Sequence, residues 1–353
     1  MASRLSAAEA GSPVPEISVI VINWNGRHFL QTCLTALRQQ TFREFETILV
    51  DNGSSDGSAE YVRLHFPEVK LIALAENLGF TGGNIAGWEQ SQGEMVILLN
   101  NDTEAHPQWL QEIHNAGREF PAAGSFASKM LLFDDRARID NCGFALTSAG
   151  VTLDRGRGEP DGPQWQISGK VFGACGGAAV YRRSMLEEIG FLDPDFFMTY
   201  EDVDLSFRAQ LAGHECVFVA GAIVYHRYRA TMAMYPARQA FFSQRNIEFV
   251  YLKNMPLGPL LFSLPLRLLY ELGGAAFFFR QGAGKAFLKA KLDALRKLPL
   301  VLPKRRAIQS RRKISSRHLR SMMQKHWLRA RWQKLLAAWR RPSAGLRASQ
   351  PAA

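Results

Sequence analysis

Cysteine is scarce in this 353-residue chain: Cys33, Cys142, Cys175 and Cys216 are the only four, and no spacing among them makes a zinc site or a disulfide framework. They sit among apolar neighbours, as buried thiols of a reducing compartment do. Residues 1–15 lack the apolar core of a secretory signal, so they read as a disordered lead and the chain as one that faces the cytosol. There is no Walker glycine loop. The glycines of Asn77-Leu-Gly-Phe-Thr-Gly-Gly-Asn84 follow a strand but miss the Gly-x-Gly-x-x-Gly spacing of a dinucleotide fingerprint, which argues against NAD. Acid is almost absent from residues 280–353, where 21 Lys and Arg face Asp293 alone. Nor does any uninterrupted apolar run approach the ~20 residues of a membrane span. Between Met255 and Phe279 the run is broken by Pro256, Pro259 and Pro265 and carries Arg267 and Glu271.

What is present alternates. Ile17-Ser-Val-Ile-Val-Ile-Asn23 and Phe45-Glu-Thr-Ile-Leu-Val50 read as strands buried on both faces, and Val69–Leu74 and Met95-Val-Ile-Leu-Leu-Asn100 as further strands, with helical stretches near 27–39, 59–65 and 84–91 between them. Such units imply an α/β fold, a mostly parallel sheet with helices on both faces. Polar clusters, Asn23-Trp-Asn-Gly26, Asp51-Asn52 and Asn100-Asn-Asp102, fall at the carboxyl ends of these strands, the edge where open α/β sheets bind ligands. Each alone is turn chemistry. Three at one edge point to a polar ligand, a nucleotide bound through base, ribose and a metal. Asp51 is placed to accept from base or ribose, and Asp102 to hold a hard divalent cation.

Farther on, the pattern predicts a helix over 107–119, irregular β structure to Asp154, a mobile loop over Arg155–Gln166, and a glycine-bearing strand over Lys170–Tyr181. Two short strands, Cys216–Val219 and Ala222–Tyr225, lead to His226, and a helix carrying Arg245-Asn246 ends near Asn254.

Glu201, Asp202 and Asp204 stand between the apolar run Phe196-Phe-Met and a helix closed by Gly213. Acids in a first helical turn are favoured by its dipole. They also raise one another's proton affinity, which suits a general base near neutral pH. The stretch by itself supports both readings.

Several ordered motifs over roughly 17–254 together resemble the family-2 glycosyltransferases of the GT-A fold: Val19-Ile-Val-Ile-Asn-Trp-Asn-Gly26, Val50-Asp-Asn-Gly-Ser-Ser-Asp-Gly57, Asn77–Asn84, Leu98-Leu-Asn-Asn-Asp-Thr103, Gly176-Gly-Ala178 and Tyr200-Glu-Asp-Val-Asp-Leu205, with His226 and Arg245-Asn246. Within that family the chain looks most like bacterial rhamnosyltransferases of cell-surface polysaccharide synthesis. The resemblance implies an inverting transfer, with dTDP-rhamnose as donor (a UDP-sugar is the alternative) and a lipid-linked or polysaccharide acceptor. It implies that Asp51 contacts the base, and that Asn23 and Asn77 border nucleotide and sugar. Asp102 matches the last acid of the metal-binding Asp-x-Asp motif, here Asn100-Asn101-Asp102. A single carboxylate there implies Mg²⁺ or Mn²⁺ held less tightly than by two, with His226 as a further ligand. Asp202 matches the catalytic base, and Glu201 its neighbour and possible substitute.

The implied organisation is a transferase domain over 16–254, a membrane-associating helical extension over 255–341 and a disordered tail over 342–353. Leu288, Leu292, Leu295 and Leu298 share a helical face opposite Lys289, Lys291 and Lys297. A looser stripe runs through Leu319, Met322, Met323, Trp327, Trp332, Leu335 and Trp339. Basic amphipathic helices bearing Trp suit an anionic membrane surface. The chain is therefore read as peripheral on the cytoplasmic face of the membrane, with the apolar segment 255–279 interfacial, re-entrant or closing the core. No nucleic-acid-binding motif accompanies the basic tail, so nucleic acid is not an expected partner. A silent nucleotide- or carbohydrate-binding module would be expected to lack Asp102 or Asp202, and both are present.

Overall fold

The computed structural model describes residues 14–227 and 236–325. The leading residues 1–13, the tail 342–353 and the tryptophans Trp327, Trp332 and Trp339 lie outside them. The first half of the chain runs β1 (Ile17–Asn23), α1 (Arg27–Arg38), β2 (Phe45–Asp51), α2 (Ser58–His65), β3 (Lys70–Ala73), α3 (Gly79–Glu89), β4 (Met95–Asn100), β5 (Thr103–Ala105), α4 (Trp109–Glu119) and β6 (Ala123–Leu132). Then follow β7 (Ile139–Asn141), β8 (Phe144–Leu146), β9 (Thr152–Asp154), β10 (Gly169–Val171), β11 (Ala178–Arg182), α5 (Arg183–Ile189), α6 (Glu201–Leu211) and β12 (Glu215–His226). Five helices close the described chain: α7 (Pro236–Asn254), α8 (Leu257–Arg280), α9 (Gly284–Arg296), α10 (Leu298–Ser310) and α11 (Ser316–Met322).

The main sheet has the order β10-β12-β6-β11-β4-β1-β2-β3, with β5 beside β12 and β7 beside β6. The β3-β2-β1-β4 half is parallel. Antiparallel β11 then separates it from the parallel pair β6 and β12. The continuous β-branched runs have their expected consequence, since both faces of the sheet are covered. Val19, Val21 and Leu49 pack with Leu30 and Leu34 of α1 and Trp109 of α4. Ile20, Val50 and Leu98 pack on the other side with Ile85 of α3 and Leu205 of α6.

Five local expectations need correction. The glycine-bearing strand over 170–181 is two strands, β10 at the sheet edge beside β12 and β11 between β6 and β4. The two short strands before His226 are one strand, β12, with a break in register between Val219 and Ile223; the bulge bends a long strand without ending it. The loop 155–166 is pinned to the domain. Trp165 is buried, with Arg155 lying 5.3 Å over its ring, and Asp161 pairs at 3.2 Å with the buried Lys129.

The apolar segment after Asn254 is a continuous helix, α8, long and apolar enough to cross a membrane by length and composition. Pro256 precedes it and Pro259 falls in its first turn, where no backbone donor is needed. Only Pro265 is interior. Arg267 and Glu271 pair at 2.9 Å and turn inward to Glu248 of α7 and Lys291 of α9.

Finally, the second basic stripe begins inside the protein. Leu319 and Met323 are buried in a third core with Phe207 of α6, Phe249 of α7 and Val301 of α10.

Candidate active site

Parallel pairing gathers the polar strand ends. Asn23 lies opposite Asp51 across β1 and β2, and its Nδ2 donates to Asp51 Oδ1 at 3.0 Å. Asn101 Nδ2 donates in turn to Asn23 Oδ1 at 2.7 Å. Asn52 crosses to the next loop, taking Leu78 N–H at 2.9 Å and donating to Gly79 O at 2.9 Å. Asn77 Oδ1 caps Gly79 N–H at 2.8 Å. Gly79 is glycine of necessity: its φ is +75°, and a Cβ there would collide with Phe197.

These loops form one wall of a cavity of about 560 Å³. Asn77, Asn101, Asp102, Glu201, Asp202 and His226 all line it. Asn23 and Asp51 lie behind the wall, buried under the Asn101 amide.

At the sheet end, β12 pairs antiparallel with β5, setting His226 opposite Thr103 and next to Asp102. His226 Nε2 is 3.3 Å from Asp102 Oδ1, and the Asn100 amide is 3.3 Å from the same nitrogen. On the other ring nitrogen, His226 Nδ1 donates to Asp140 Oδ2 at 2.7 Å, and Arg157 holds the second Asp140 oxygen at 2.9 Å. Burial alone would lower the imidazole's pKa, but Asp102 and Asp140 outweigh it and take it up to about 9.

Asp102 Oδ1 is buried and has no partner beyond that imidazole. A buried carboxylate oxygen with capacity to spare, facing an imidazole nitrogen whose proton a metal would displace, is a donor set that fits a divalent cation. No group of three or more His, Cys, Asp or Glu placed to hold a metal ion occurs among the described residues, so the remaining ligands would have to come from a bound diphosphate and water. Asp140 escaped the sequence reading because nothing local marks it. Only the pairing of β7 with β6, which lies beside β12, brings it to a histidine 86 positions away.

The three acids of α6 have separate fates. Asp204 is fully buried and bonded to Arg208 at 2.8 Å, Lys253 at 2.9 Å and Asn254 at 2.8 Å. Burial would raise its pKa, yet Lys253 and Arg208 bring it below the usual carboxylate range. Asp204 thus belongs to the scaffold.

Asp202 faces the cavity and accepts Gly176 N–H at 2.8 Å and Val203 N–H at 2.7 Å. Burial pushes it up to about 6 against the pull of those two donors. Glu201 is raised well above its ordinary range, first by burial and then by the charge of Asp202, and its buried Oε2 has no partner. The cavity therefore holds two neighbouring carboxyls whose proton affinity burial raises, Asp202 up to about 6.

A sequence match to Glycosyl transferase family 2 covers residues 18–190, from β1 to the end of α5. This chain carries a family-2 glycosyltransferase domain. The transferase is 26% identical over 248 residues to the N-acetylglucosaminyl-diphospho-decaprenol L-rhamnosyltransferase of Mycobacterium tuberculosis, a match taking in 63% of this chain and 79% of that one. It is also 26% identical over 230 residues to the O-antigen biosynthesis protein RfbC of Myxococcus xanthus, covering 62% of this chain but only 18% of that protein. Its fold is similar to the crystal structure of GalNAc-T7 with UDP, GalNAc and Mn2+, with a TM-score of 0.53 at 17% identity over 68% of this chain and 48% of that one. The transferase thus has the GT-A fold, with a helical region following it.

Proposed function

We propose that this transferase moves a sugar, rhamnose from dTDP-rhamnose, with inversion onto a lipid-linked or polysaccharide acceptor during cell-surface glycan synthesis. The observation that carries the reading is the shared cavity, which sets Asp202 in the same space as the facing pair Asp102 and His226. The rhamnosyltransferase and O-antigen relatives support the donor and the acceptor class.

In this mechanism Asp202 accepts the proton of the acceptor hydroxyl as that oxygen attacks the anomeric carbon. The carbon–oxygen bond to the nucleoside diphosphate breaks on the opposite face, and a single displacement needs no carboxylate nucleophile. The N–H groups of Gly176 and Val203 aim the base. Burial and the charge of Asp202 raise the proton affinity of Glu201 beside it, which disfavours a second negative charge in the site. Asn77 and Asn101 face the donor, while Asn23 and Asp51 order the nucleotide end from behind. Asp102 and His226 would hold Mg²⁺ or Mn²⁺, which supplies charge neutralisation for the departing diphosphate; GalNAc-T7 was crystallised with Mn2+.

A thermal-shift series with nucleotide sugars, each with and without Mn²⁺ or Mg²⁺, tests the donor. dTDP-rhamnose should raise Tm by mass action more than UDP-sugars do, and a larger shift with a UDP-sugar transfers the assignment to that donor.

The membrane reading gains its support from the outward faces of the C-terminal helices. With Arg267 and Glu271 turned inward, α8 leaves Leu261, Phe262, Leu268 and Leu272 exposed. α9 buries Phe287, Ala290 and Ala294 and leaves Leu288, Leu292 and Leu295 of the predicted stripe in the open. The fourth member, Leu298, opens α10 instead, and Lys289, expected on the opposite face, is exposed beside the leucines, with Lys285 and the half-buried Arg296. An apolar face edged by cations suits an anionic monolayer, with the protein peripheral on the cytoplasmic side. The protein should float with anionic vesicles and far less with zwitterionic ones, and Leu268→Asp with Leu292→Asp should weaken that binding about 10-fold. Equal binding to both vesicle types, or none, sinks the idea.

A further inference from the structure

The residues leading into the base adopt a backbone that their side chains resist. Phe197, Thr199 and Tyr200 have φ of 63°, 63° and 70°, the left-handed region, and none is glycine. Such outliers persist only where the surroundings hold them, and they gather at functional sites.

Here the surroundings are two adjacent side chains of α7. Asn246 Nδ2 lies 2.9 Å from Phe196 O, 2.8 Å from Met198 O and 2.8 Å from Thr199 O. Arg245 Nη2 donates to Asp195 O at 2.6 Å and to Phe196 O at 3.0 Å. Its Nε donates to Asn246 Oδ1 at 2.8 Å, which fixes the amide with its N–H groups toward the strap. Both side chains are buried, and neither lines the cavity.

The strap they hold begins at Phe197 and ends at Tyr200, which precedes the first turn of α6 and therefore Glu201 and Asp202. It is also sewn to the donor side, since Thr81 N–H donates to Phe197 O at 3.0 Å.

We propose that Asn246, oriented by Arg245, is a positioning residue for the transfer: it locks the left-handed strap 197–200 so that Asp202 is aimed before any substrate arrives. This rests on the reading of Asp202 as the base. The device is intelligible physically. The strap's three left-handed residues, two aromatics and a threonine, would relax toward ordinary φ values if its carbonyls lost their donors, and the start of α6 would swing with it. A general base has to meet its proton within hydrogen-bond reach, so a displacement of about 1 Å is costly in rate. Nucleotide affinity rests on Asn77 and Asn101, whose own side-chain partners Gly79, Asn52 and Asn23 lie outside the strap, and should survive.

The test uses the full chain with a sugar donor and acceptor that support turnover, beside a nucleoside diphosphate titration and a melting curve. Asn246→Ala should lower kcat about 10- to 100-fold while donor KM and nucleoside diphosphate Kd stay within about 3-fold. Adding Thr199→Gly should return part of the lost kcat, because glycine holds a left-handed φ unaided. A merely structural role would give neither the split nor the rescue. Should Asn246→Ala fail to fold, Arg245→Lys decides, since it keeps the charge but loses the bond that orients the amide; a kcat loss of about 3- to 10-fold at unchanged KM is the supporting result. Wild-type kcat in the folded Asn246 or Arg245 variant, together with an inactive Asp202→Asn, overturns the clamp. Full activity in Asp202→Asn overturns the assignment of the base instead.

Discussion

Asp202→Asn should lose at least ~100-fold in kcat, with nucleotide binding nearly unchanged, because an amide cannot take the proton of the acceptor hydroxyl. Its effect on folding is a balance. Both carboxylate oxygens accept backbone N–H groups, so the amide sets an N–H against a donor at Gly176 or Val203. That costs on the order of 1–3 kcal/mol. Removing a buried charge that burial already disfavours returns a similar amount, so Tm should move by only a few degrees. Glu201→Gln is the companion. Burial and the charge of Asp202 raise the proton affinity of Glu201, and an amide imitates a neutral carboxyl, so its kcat loss should stay below about 10-fold.

The pH dependence follows from the same shift. With a folded pKa of about 6, the acid limb of kcat/KM should fall near pH 6. For stability the sign is opposite to that of a salt-bridged acid. The folded state binds the Asp202 proton more tightly than the unfolded chain, so this group's contribution is fully present below the ordinary value of 3.8 and is lost as pH rises to about 6. Asp202→Asn should flatten that part of the stability profile. Normal turnover in Asp202→Asn, or an inactive Glu201→Gln beside an active Asp202→Asn, would assign the base elsewhere.

The second large effect is expected at Asp102. Asp102→Ala removes the only carboxylate of the Asn100-Asn101-Asp102 motif and leaves His226 facing the cavity with Asp140 behind it. Nucleoside diphosphate binding in the presence of Mn²⁺ should weaken about 10-fold and turnover by ~100-fold or more. EDTA should weaken binding to the wild type by a similar factor and have little further effect on the variant. His226→Ala should do the same, and combining it with Asp102→Ala should cost less than the sum of the two, as for groups serving one ion. With one carboxylate in place of two, the dependence on metal should be shallower than in relatives with a full Asp-x-Asp pair. Binding that ignores both the chelator and Asp102→Ala removes the metal from the reaction.

Much of this was legible in the chain itself. A run such as Ile17–Asn23 can be buried on both faces only inside a covered sheet, and strands joined by helices run parallel, so Asn23, Asp51 and Asn100 had to finish at one edge. What stayed hidden depended on which surfaces meet. Glu201, Asp202 and Asp204 are equivalent as text; Lys253, Arg208 and Asn254 neutralise one of them, while the cavity receives the other two. The stripe Leu288-Leu292-Leu295 could be counted but not oriented. It faces outward because Phe287, Ala290 and Ala294 form the face that α9 lays against its neighbours, and periodicity names faces without saying which is covered. Arg267 and Glu271 read as breaks in an apolar run, yet partners on α7 and α9 make them its buried seam. Asp140 behind His226, and Asn246 under the strap, are long-range contacts set by packing, for which one-dimensional spacing holds no signal.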